Sequence, residues 1–530
     1  MKKVGLFFIL FTAFVHPQSV YLTATHPVYE FLDRMEARQC ITDYRDAVKP
    51  LTRETIAKYL IEIDTSSVQL TRVDQDQLFF YKEEFYQELE NLKYENIIEE
   101  RWHLYQYKSD PGKFNFDLIG GYTNHWRADG KNTQVTSNGI AAYGYAGNQV
   151  GVYFYFHDNH ESGSFLDPQR IFSPIPAEVP SRDLRPRFFE YTTIEAQLNV
   201  DLSFVTLSVE KMHNSWGDGE RGKIILSDKA PSFPQIKLRA KLGKDINFTY
   251  IHGWLYSGMI DSLRSYTING AYRQINVQKY IAAHILEFTP WHGVDLAIGE
   301  SEVYGGRNPE LLYLIPVMFF KGAEHYNGDT DNSQFFVNAD LNVVKNYNFY
   351  MSLFIDEFST EDFYKTSTQR NQLAFTLGTR AYDTFFPNTE IVVEYTRLNP
   401  WVYNHKFPDA TFQSHSIDLG HWLGQNADLF YTRVQYQPMR NLQAGFEFES
   451  LRKGWKEDTK FQYMLPTPEF LYGPRKKEQS FGIVGKYEPV RDFMIDFSIL
   501  RSRYTDEATS GMEDYAGKWD AFLGFRYNFD

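Results

Sequence analysis

The chain of 530 residues contains 44 Phe, 37 Tyr, 9 Trp and one Cys, and its net charge is −14. This ring content excludes a disordered chain, and an acidic balance without basic clusters excludes a nucleic-acid partner. The mean hydropathy is −0.46, so the aromatic residues are interspersed with many polar ones. Beyond the N-terminus the sequence has none of the runs of about 20 apolar residues that membrane helices require, which excludes a helical membrane protein.

The N-terminus has the pattern of a secretory signal peptide. Lys2 and Lys3 precede an apolar run from Val4 to Val15, and the segment ends near Gln18-Ser19. We predict a cleaved signal peptide at residues 1–19, whose loss removes two lysines and changes the net charge from −14 to −16. An uncleaved anchor or a buried N-terminal strand is the alternative. With a single cysteine, an exported chain of this size needs a large core or a closed sheet for its stability.

The next segment has helical periodicity. Apolar residues recur at spacings of three and four in three stripes: Val28, Phe31, Leu32 and Met35; Ile56, Tyr59, Leu60 and Ile63; Leu78, Tyr81, Phe85 and Leu89. Thr52 is a plausible N-cap of the second helix, and Thr71 opens the third helix three residues before Asp74. We predict a small helical periplasmic segment at residues 20–108, in which the three stripes form a core.

From residue 113 the periodicity changes to two and stays so to the C-terminus. The clearest alternation runs over 194–202, 236–242, 337–343 and 519–529. In the first of these strands, one face is apolar and the other polar: Ile194, Ala196, Leu198, Val200 and Leu202 alternate with Glu195, Gln197, Asn199 and Asp201. This pattern occurs both in soluble sandwiches and in membrane barrels.

Three observations favour a membrane barrel. The alternation continues over residues 113–530, whereas an ordinary sandwich domain has about 100 residues. Rings crowd the expected strand ends, as at Tyr153–Phe156 and Phe385-Phe386, and the chain stops just after an aromatic-rich strand that includes Phe529. We predict a mainly β fold: a transmembrane antiparallel β-barrel of about 18 strands, preceded by the helical segment. A closed barrel satisfies its backbone hydrogen bonds in lipid and encloses a polar lumen.

A glycine-rich cluster spans residues 216–223. It imitates a phosphate-binding loop, but Ile224 stands where that motif requires Ser or Thr, so we reject nucleotide binding. Two interpretations remain open. The cluster is either a turn between strands or a loop that folds into the lumen and displays Trp216, Asp218, Glu220 and Arg221.

Two other clusters invite a chemical interpretation. Asp329 and Asp331 suggest a calcium loop, but the sixth and twelfth positions are Gln334 and Asp340, so an acidic turn is preferred and no metal is predicted. His405 and His421 lack neighbours at metal-ligand spacing, and the sequence has no Gly-x-Ser-x-Gly motif. We therefore predict no enzymatic activity and no cofactor.

These clusters share one composition, in which Trp or Tyr stands beside Asn, Asp, Arg and His. Sugars stack their apolar faces on rings and exchange hydrogen bonds with planar polar groups, and this needs no cofactor. The candidate polysaccharide-binding residues are Trp216, Asp218, Arg221, Arg307, Asn308, Asp329, Asp331, Trp401, His421 and Trp422.

The same segments resemble the Wzi-like capsule-assembly family of outer-membrane barrels. The resemblance lies, in family order, in Ser215–Gly222 and Ile225–Asp228 with Ala230-Pro231 and Pro234; Arg307–Leu311 with Tyr313 and Pro316; Gly328-Asp329 and Asp331-Asn332; Asn399–Trp401 with Tyr403 and His405; and Leu419–Gly424 with Asn426–Asp428. It implies an 18-stranded barrel after a short helical periplasmic segment, and a lectin-like role in assembling or retaining capsule or exopolysaccharide.

We therefore predict a barrel in the outer membrane of a Gram-negative-type bacterium that binds surface polysaccharide. The expected partners are capsular or extracellular polysaccharide and outer-membrane lipid, with other polysaccharide-export components as further candidates. A substrate-selective porin or transporter on the same barrel is the main alternative, and a barrel hydrolase is a third.

Overall fold

The computed structural model describes residues 19–96, 98–127, 129–147, 149–166, 188–202, 204–358, 371–456, 461–462, 468–507 and 518–529. Of the predicted signal peptide, only Ser19 falls within these ranges. Within the described part of the chain, no helix combines the length and apolar character that a membrane crossing requires.

Five helices are described, four of them before the barrel: α1 Val28–Ala37, α2 Arg53–Thr65, α3 Arg72–Glu84, α4 Tyr86–Asn91 and α5 Phe320–Asn327. The Thr52 hydroxyl caps α2 by accepting from Thr55 N, and Thr71 and Asp74 form a reciprocal capping box at the start of α3. The third predicted stripe differs from the prediction, because α3 ends at Glu84 and a new short helix begins after Phe85. The stripes nevertheless pack into one buried core.

Eighteen strands of the described chain close into an antiparallel barrel, which confirms the predicted fold. They are β1 Gly112–Trp126, β2 Asn132–Ala146, β3 Val150–Gly163, β4 Phe188–Asp201, β5 Val205–Met212, β6 Phe233–Lys241, β7 Ile246–Ile260, β8 Asn276–Trp291, β9 Val294–Gly305, β10 Asn332–Val344, β11 Tyr347–Glu357, β12 Gln372–Tyr382, β13 Thr389–Leu398, β14 Ala427–Met439, β15 Leu442–Lys453, β16 Lys476–Val490, β17 Phe493–Asp506 and β18 Lys518–Tyr527. The barrel closes where β18 pairs with β1, from Ala521 opposite Trp126 to Tyr527 opposite Gly120. A short strand, Tyr105–Ser109, continues the line of β18 along the first residues of β1.

The barrel is polar inside and apolar outside. In β4, Glu195 and Asn199 on the polar face are 4% and 0% exposed, whereas Leu198 on the apolar face is 49% exposed. In β6, Lys237 is fully buried and Ile236 is 42% exposed. A soluble sandwich would bury the apolar face, so this inversion shows that the outer surface faces lipid.

The two ends of the barrel differ in the length of their connections. Alternate connections have two to six residues, and those at the opposite end are mostly much longer, up to the segment between β13 and β14. In outer-membrane barrels short turns face the periplasm and longer loops face outward, so we call these the periplasmic end and the outer end.

The helical segment comprises residues 20–104, because the last residues of the predicted range 20–108 belong to the strand Tyr105–Ser109. It lies in the periplasmic end of the barrel. Arg34 on α1 donates to Asp383 in the turn between β12 and β13 over 2.9 Å, and Arg101 donates to Asp492 in the turn between β16 and β17 over 2.8 Å. Tyr21 exchanges two backbone hydrogen bonds with the side chain of Gln197, an inward residue of β4. The segment therefore enters the lumen and blocks part of its cross-section.

Three aromatic residues differ from the predicted interfacial girdle and last strand. Tyr153 and Tyr155 lie within β3 and point inward, at 7% and 5% exposure, and they do not mark a strand end. Phe529 follows Asn528, whose φ of +53° turns the chain, and its ring lies inside the barrel 5.1 Å from that of His157. It does not continue the apolar face of β18.

Candidate functional site

The first lumenal loop, residues 213–232 between β5 and β6, folds inward from the outer end. Ser215 and Trp216 pair with Lys49 and Val48 of the helical segment in a short antiparallel ribbon. Trp216 is fully buried, and its ring meets that of Phe336 on β10 edge to face with centroids 6.1 Å apart. Of the two interpretations of this cluster, the structure shows the lumenal loop, but Trp216 and Asp218 are buried in it and not displayed.

The same loop is tied to the barrel wall by polar contacts. Asp218 N donates to Asn338 Oδ1 and to Ser352 Oγ, each over 2.9 Å, and Asn338 Nδ2 returns a bond of 2.7 Å to the Asp218 carboxylate. Arg221 donates to Glu449 over 2.7 Å, and its guanidinium lies 5.1 Å from the centre of the Tyr431 ring. Asp218 is thus buried, whereas the side chain of Arg221 keeps 23% exposure.

Three carboxylates meet below this loop. Asp46, Asp218 and Asp340 bring oxygens within 4.8 Å of one another, and all three are buried. Lys49 Nζ lies 2.8 Å from Asp46, and Asn348 donates to Asp340 over 2.7 Å. Burial raises the pKa of Asp218, and the nearby charge of Asp46 raises it further. The three carboxylates come from the helical segment, the first lumenal loop and the barrel wall, and the side chains of Lys49 and Asn348 bind two of them.

The second lumenal loop, residues 399–426 between β13 and β14, packs on the first. Tyr403 Oη donates to Ile224 O over 2.6 Å, and Trp422 Nε1 donates to Arg221 O over 2.7 Å. His421 stacks on Trp422 with ring centroids 5.6 Å apart. A Cβ added at Gly222 would come within 2.9 Å of the His421 ring, so glycine is needed for this close approach.

Burial decides the charge of the two histidines in this loop. It lowers the pKa of His421 to about 3 and that of His405 to about 4. Neighbouring Lys side chains add to both effects, and Arg221 adds to the effect on His421. Both imidazoles are therefore neutral at neutral pH and act through hydrogen bonds and packing. Trp401 is 2% exposed, and its backbone N–H donates to Gln425 Oε1 over 2.6 Å.

A third group lies in the outer loop between β9 and β10, residues 306–331. Arg307 forms a two-pronged ion pair with Asp331, with N–O distances of 2.8 and 2.5 Å, and its guanidinium lies 5.1 Å from the centre of the Tyr304 ring. Tyr313 Oη donates to the same Asp331 over 2.7 Å. The Asp331 carboxylate is thus occupied by internal donors, while Asn308 beside Arg307 is exposed.

The ten predicted residues therefore fall into two classes. Buried residues are Trp216, Asp218, Asp331, Trp401 and His421, and partly or fully exposed residues are Arg221, Arg307, Asn308, Asp329 and Trp422. The lumenal loops bring Arg221, His421 and Trp422 together, whereas Arg307, Asn308, Asp329 and Asp331 belong to the outer loop. The prediction omitted Tyr431 and Glu449, the wall partners of Arg221. Their positions in the alternating pattern of β14 and β15 indicate that both side chains point into the lumen, and this was the only sequence signal that could have found them.

Comparison with known proteins gives the family. The model of the family described as Capsule assembly protein Wzi matches residues 127–477, about two thirds of the chain. The chain belongs to this Wzi family. No curated protein matches the sequence.

A solved structure of this family shows the same fold, and two further barrels are less similar. Wzi of Escherichia coli, described as a carbohydrate-binding outer-membrane β-barrel involved in group 1 capsule assembly, has 12% identity and a TM-score of 0.60 over 96% of this chain and 99% of that one. Pseudomonas aeruginosa OccK7 (OpdD) has 10% identity and a TM-score of 0.43 over 79% of this chain and 99% of that one. Acinetobacter baumannii OccAB2 has 9% identity and a TM-score of 0.44 over 79% of this chain and 98% of that one. Like its family, this closed barrel with a lipid-facing apolar surface lies in the outer membrane.

Proposed function

We propose that this Wzi-family barrel binds an exported polysaccharide at its outer end and keeps it attached to the cell, without hydrolysing it. One observation carries the proposal: both lumenal loops pack into a single buried core with the barrel wall. A lumen filled in this way supports binding at the outer end rather than free passage.

The exposed outer residues have the chemistry that sugars require. The two-pronged ion pair with Asp331 fixes the orientation of the Arg307 guanidinium. Asn308 and Asp329 are exposed in the same loop. Tyr326 at the end of α5 is 84% exposed and offers a ring face. We assign direct contact with the sugar to these exposed residues. The buried residues position the loops: Trp216, Asp218, Trp401 and His421.

Deleting the gene in its host is expected to move surface polysaccharide from the cell-attached fraction to the medium. The wild-type gene should restore attachment, and a variant with Asn308→Ala and Tyr326→Ala should restore only part of it, because one planar polar group and one ring are lost. The measurement is the ratio of cell-attached to free polysaccharide.

The matched control combines Asn96→Ala with Tyr105→Ala, an exposed pair outside the outer loops. It should restore attachment fully. An unchanged ratio in the deletion strain would contradict the proposed function, and equal behaviour of the two double variants would contradict the assignment to the outer loop.

Purified protein in planar bilayers is expected to give no steady open channels. The helical segment occupies the periplasmic end, and the loops between β5 and β6 and between β13 and β14 occupy the lumen. Conductance is recorded with an open porin as the positive control. Steady channels in most insertions would favour the transporter alternative.

A further inference from the structure

A cavity of about 450 Å³ lies between the helical segment and the inner barrel wall. His26, Phe31 and Gln77 line it from the helical segment, and Tyr155 and Gln443 line it from β3 and β15. The volume falls in the range of pockets that bind small organic molecules, about 300–1,000 Å³. None of the ten predicted site residues lines it.

The cavity continues toward the outer end. A second space of about 240 Å³ shares Gln435, Gln443, Lys486 and Asp496 with the first. It extends to Arg221 and Tyr431, the contact between the first lumenal loop and β14. The two spaces therefore follow the wall of β14 to β17 from the helical segment to the lumenal loops.

The charges on the larger cavity are paired within the protein. Each cationic side chain of its lining has an acidic partner within 3.4 Å: Arg34 with Asp383, Arg101 with Asp492, Arg440 with Glu488, Lys486 with Glu30, and Arg526 with Asp496. An anionic ligand would have to compete with these carboxylates. Burial lowers the pKa of His26 to about 4, so this imidazole is neutral as well. The lining favours a neutral ligand.

Two buried polar atoms of residues that line this cavity make no hydrogen bond within the described part of the chain. Thr23 Oγ1 and Gln77 Oε1 have no hydrogen-bond partner among the described residues, and their side chains belong to residues only 4% and 9% exposed. A buried unsatisfied donor or acceptor is costly, so such groups commonly bind a ligand or water. Together with the rings of Phe31 and Tyr155, they offer the combination that recognises hydroxyl-rich rings.

We propose that this cavity binds a neutral oligosaccharide of a few sugar units, as a lumenal subsite for the polysaccharide held at the outer end. The choice of sugar as ligand rests on the proposed function. Amides and hydroxyls of the lining hydrogen bond with the sugar hydroxyls, and the rings of Phe31 and Tyr155 contact its apolar faces.

The test uses full-length protein in detergent micelles and titration calorimetry. The probes are oligosaccharides of two to five units, released by partial hydrolysis from the surface polysaccharide of the host and separated into neutral and acidic fractions. The variant combines Thr23→Val with Gln77→Leu, and the control combines Thr65→Val with Gln75→Leu, two exposed positions on α2 and α3. We expect the neutral fraction to bind the wild-type and control proteins, and the cavity variant to bind at least about tenfold more weakly.

Hydrogen exchange provides a second readout that does not depend on the variants. Bound oligosaccharide should protect residues 23–31 and 77–81, which line the cavity. Protection at the outer loops alone, or equal affinity of the cavity and control variants, would overturn the subsite while leaving polysaccharide attachment intact. Binding of the acidic fraction alone would overturn the neutral ligand class. An unchanged attachment ratio in the deletion strain would instead contradict the proposed function.

Discussion

Replacing Trp216 by alanine is expected to lower the free energy of unfolding by about 3–5 kcal/mol, the usual cost of emptying a large buried site. Trp216 is fully buried in the core shared by the helical segment, both lumenal loops and the wall. Its backbone N–H donates to Leu226 O over 2.8 Å, so the loop backbone is fixed at the same point. The measurement is urea unfolding in detergent micelles.

Trp102→Ala is the matched control, because this ring is 66% exposed and lies outside the core. Its cost should stay below about 1 kcal/mol. The comparison also decides the role of Trp216 in binding. If both variants unfolded at the same urea concentration and only Trp216→Ala lost polysaccharide, Trp216 would be a sugar contact rather than a core residue.

The fold was accessible from the sequence because its signals are local. In β4 each polar residue from Glu195 to Asp201 marks the lumen, since alternate side chains of a strand point to opposite faces. The caps at Thr52 and Thr71 also depend only on residues within one turn. The run from Tyr153 to Phe156 was harder, because four rings in succession carry no polar alternation that would distinguish the inward Tyr from the outward Phe.

The candidate site was less accessible, because its burial depends on distant partners. Asp218 is buried by Asn338 and Ser352, which are more than 100 residues away in sequence, and Arg221 is held by Glu449. Strand parity predicts that these wall residues face inward, but it does not predict which loop meets them. Composition therefore found the clusters at Trp216 and Trp401 without revealing that both rings are buried.

One buried carboxylate contributes to the attachment of the helical segment to the barrel. Asp74 on α3 has no exposed side-chain surface and accepts from Arg34 Nε over 2.9 Å, from Thr71 N over 2.9 Å and from Arg38. Arg34 also donates to Asp383 of the barrel. Asp74 thus links the start of α3 to α1 and, through Arg34, to the periplasmic turn.

Asp74→Asn is expected to lower the free energy of unfolding by about 3–5 kcal/mol, because it removes the negative charge that two buried guanidinium groups share and leaves Asp383 as their remaining carboxylate. The matched control is Asp76→Asn, an exposed carboxylate two residues further along α3, for which we expect less than about 0.5 kcal/mol. Urea unfolding at pH 7 measures both costs. Equal costs would contradict the role of Asp74 as a buried link.

The same contact predicts the response to acid. Burial raises the pKa of Asp74, but Arg34 and Arg38 outweigh that effect and hold the pKa below its ordinary value. A carboxylate with a depressed folded pKa stabilises fully above its unfolded pKa of about 4, and this contribution is lost as the pH falls toward the lower folded value. Wild-type protein should therefore lose stability, and expose α1 and α3 to protease, as the pH falls below about 4. Asp74→Asn should show a shallower dependence over that range, since asparagine has no proton to gain, and an unchanged slope would assign the acid sensitivity to other carboxylates.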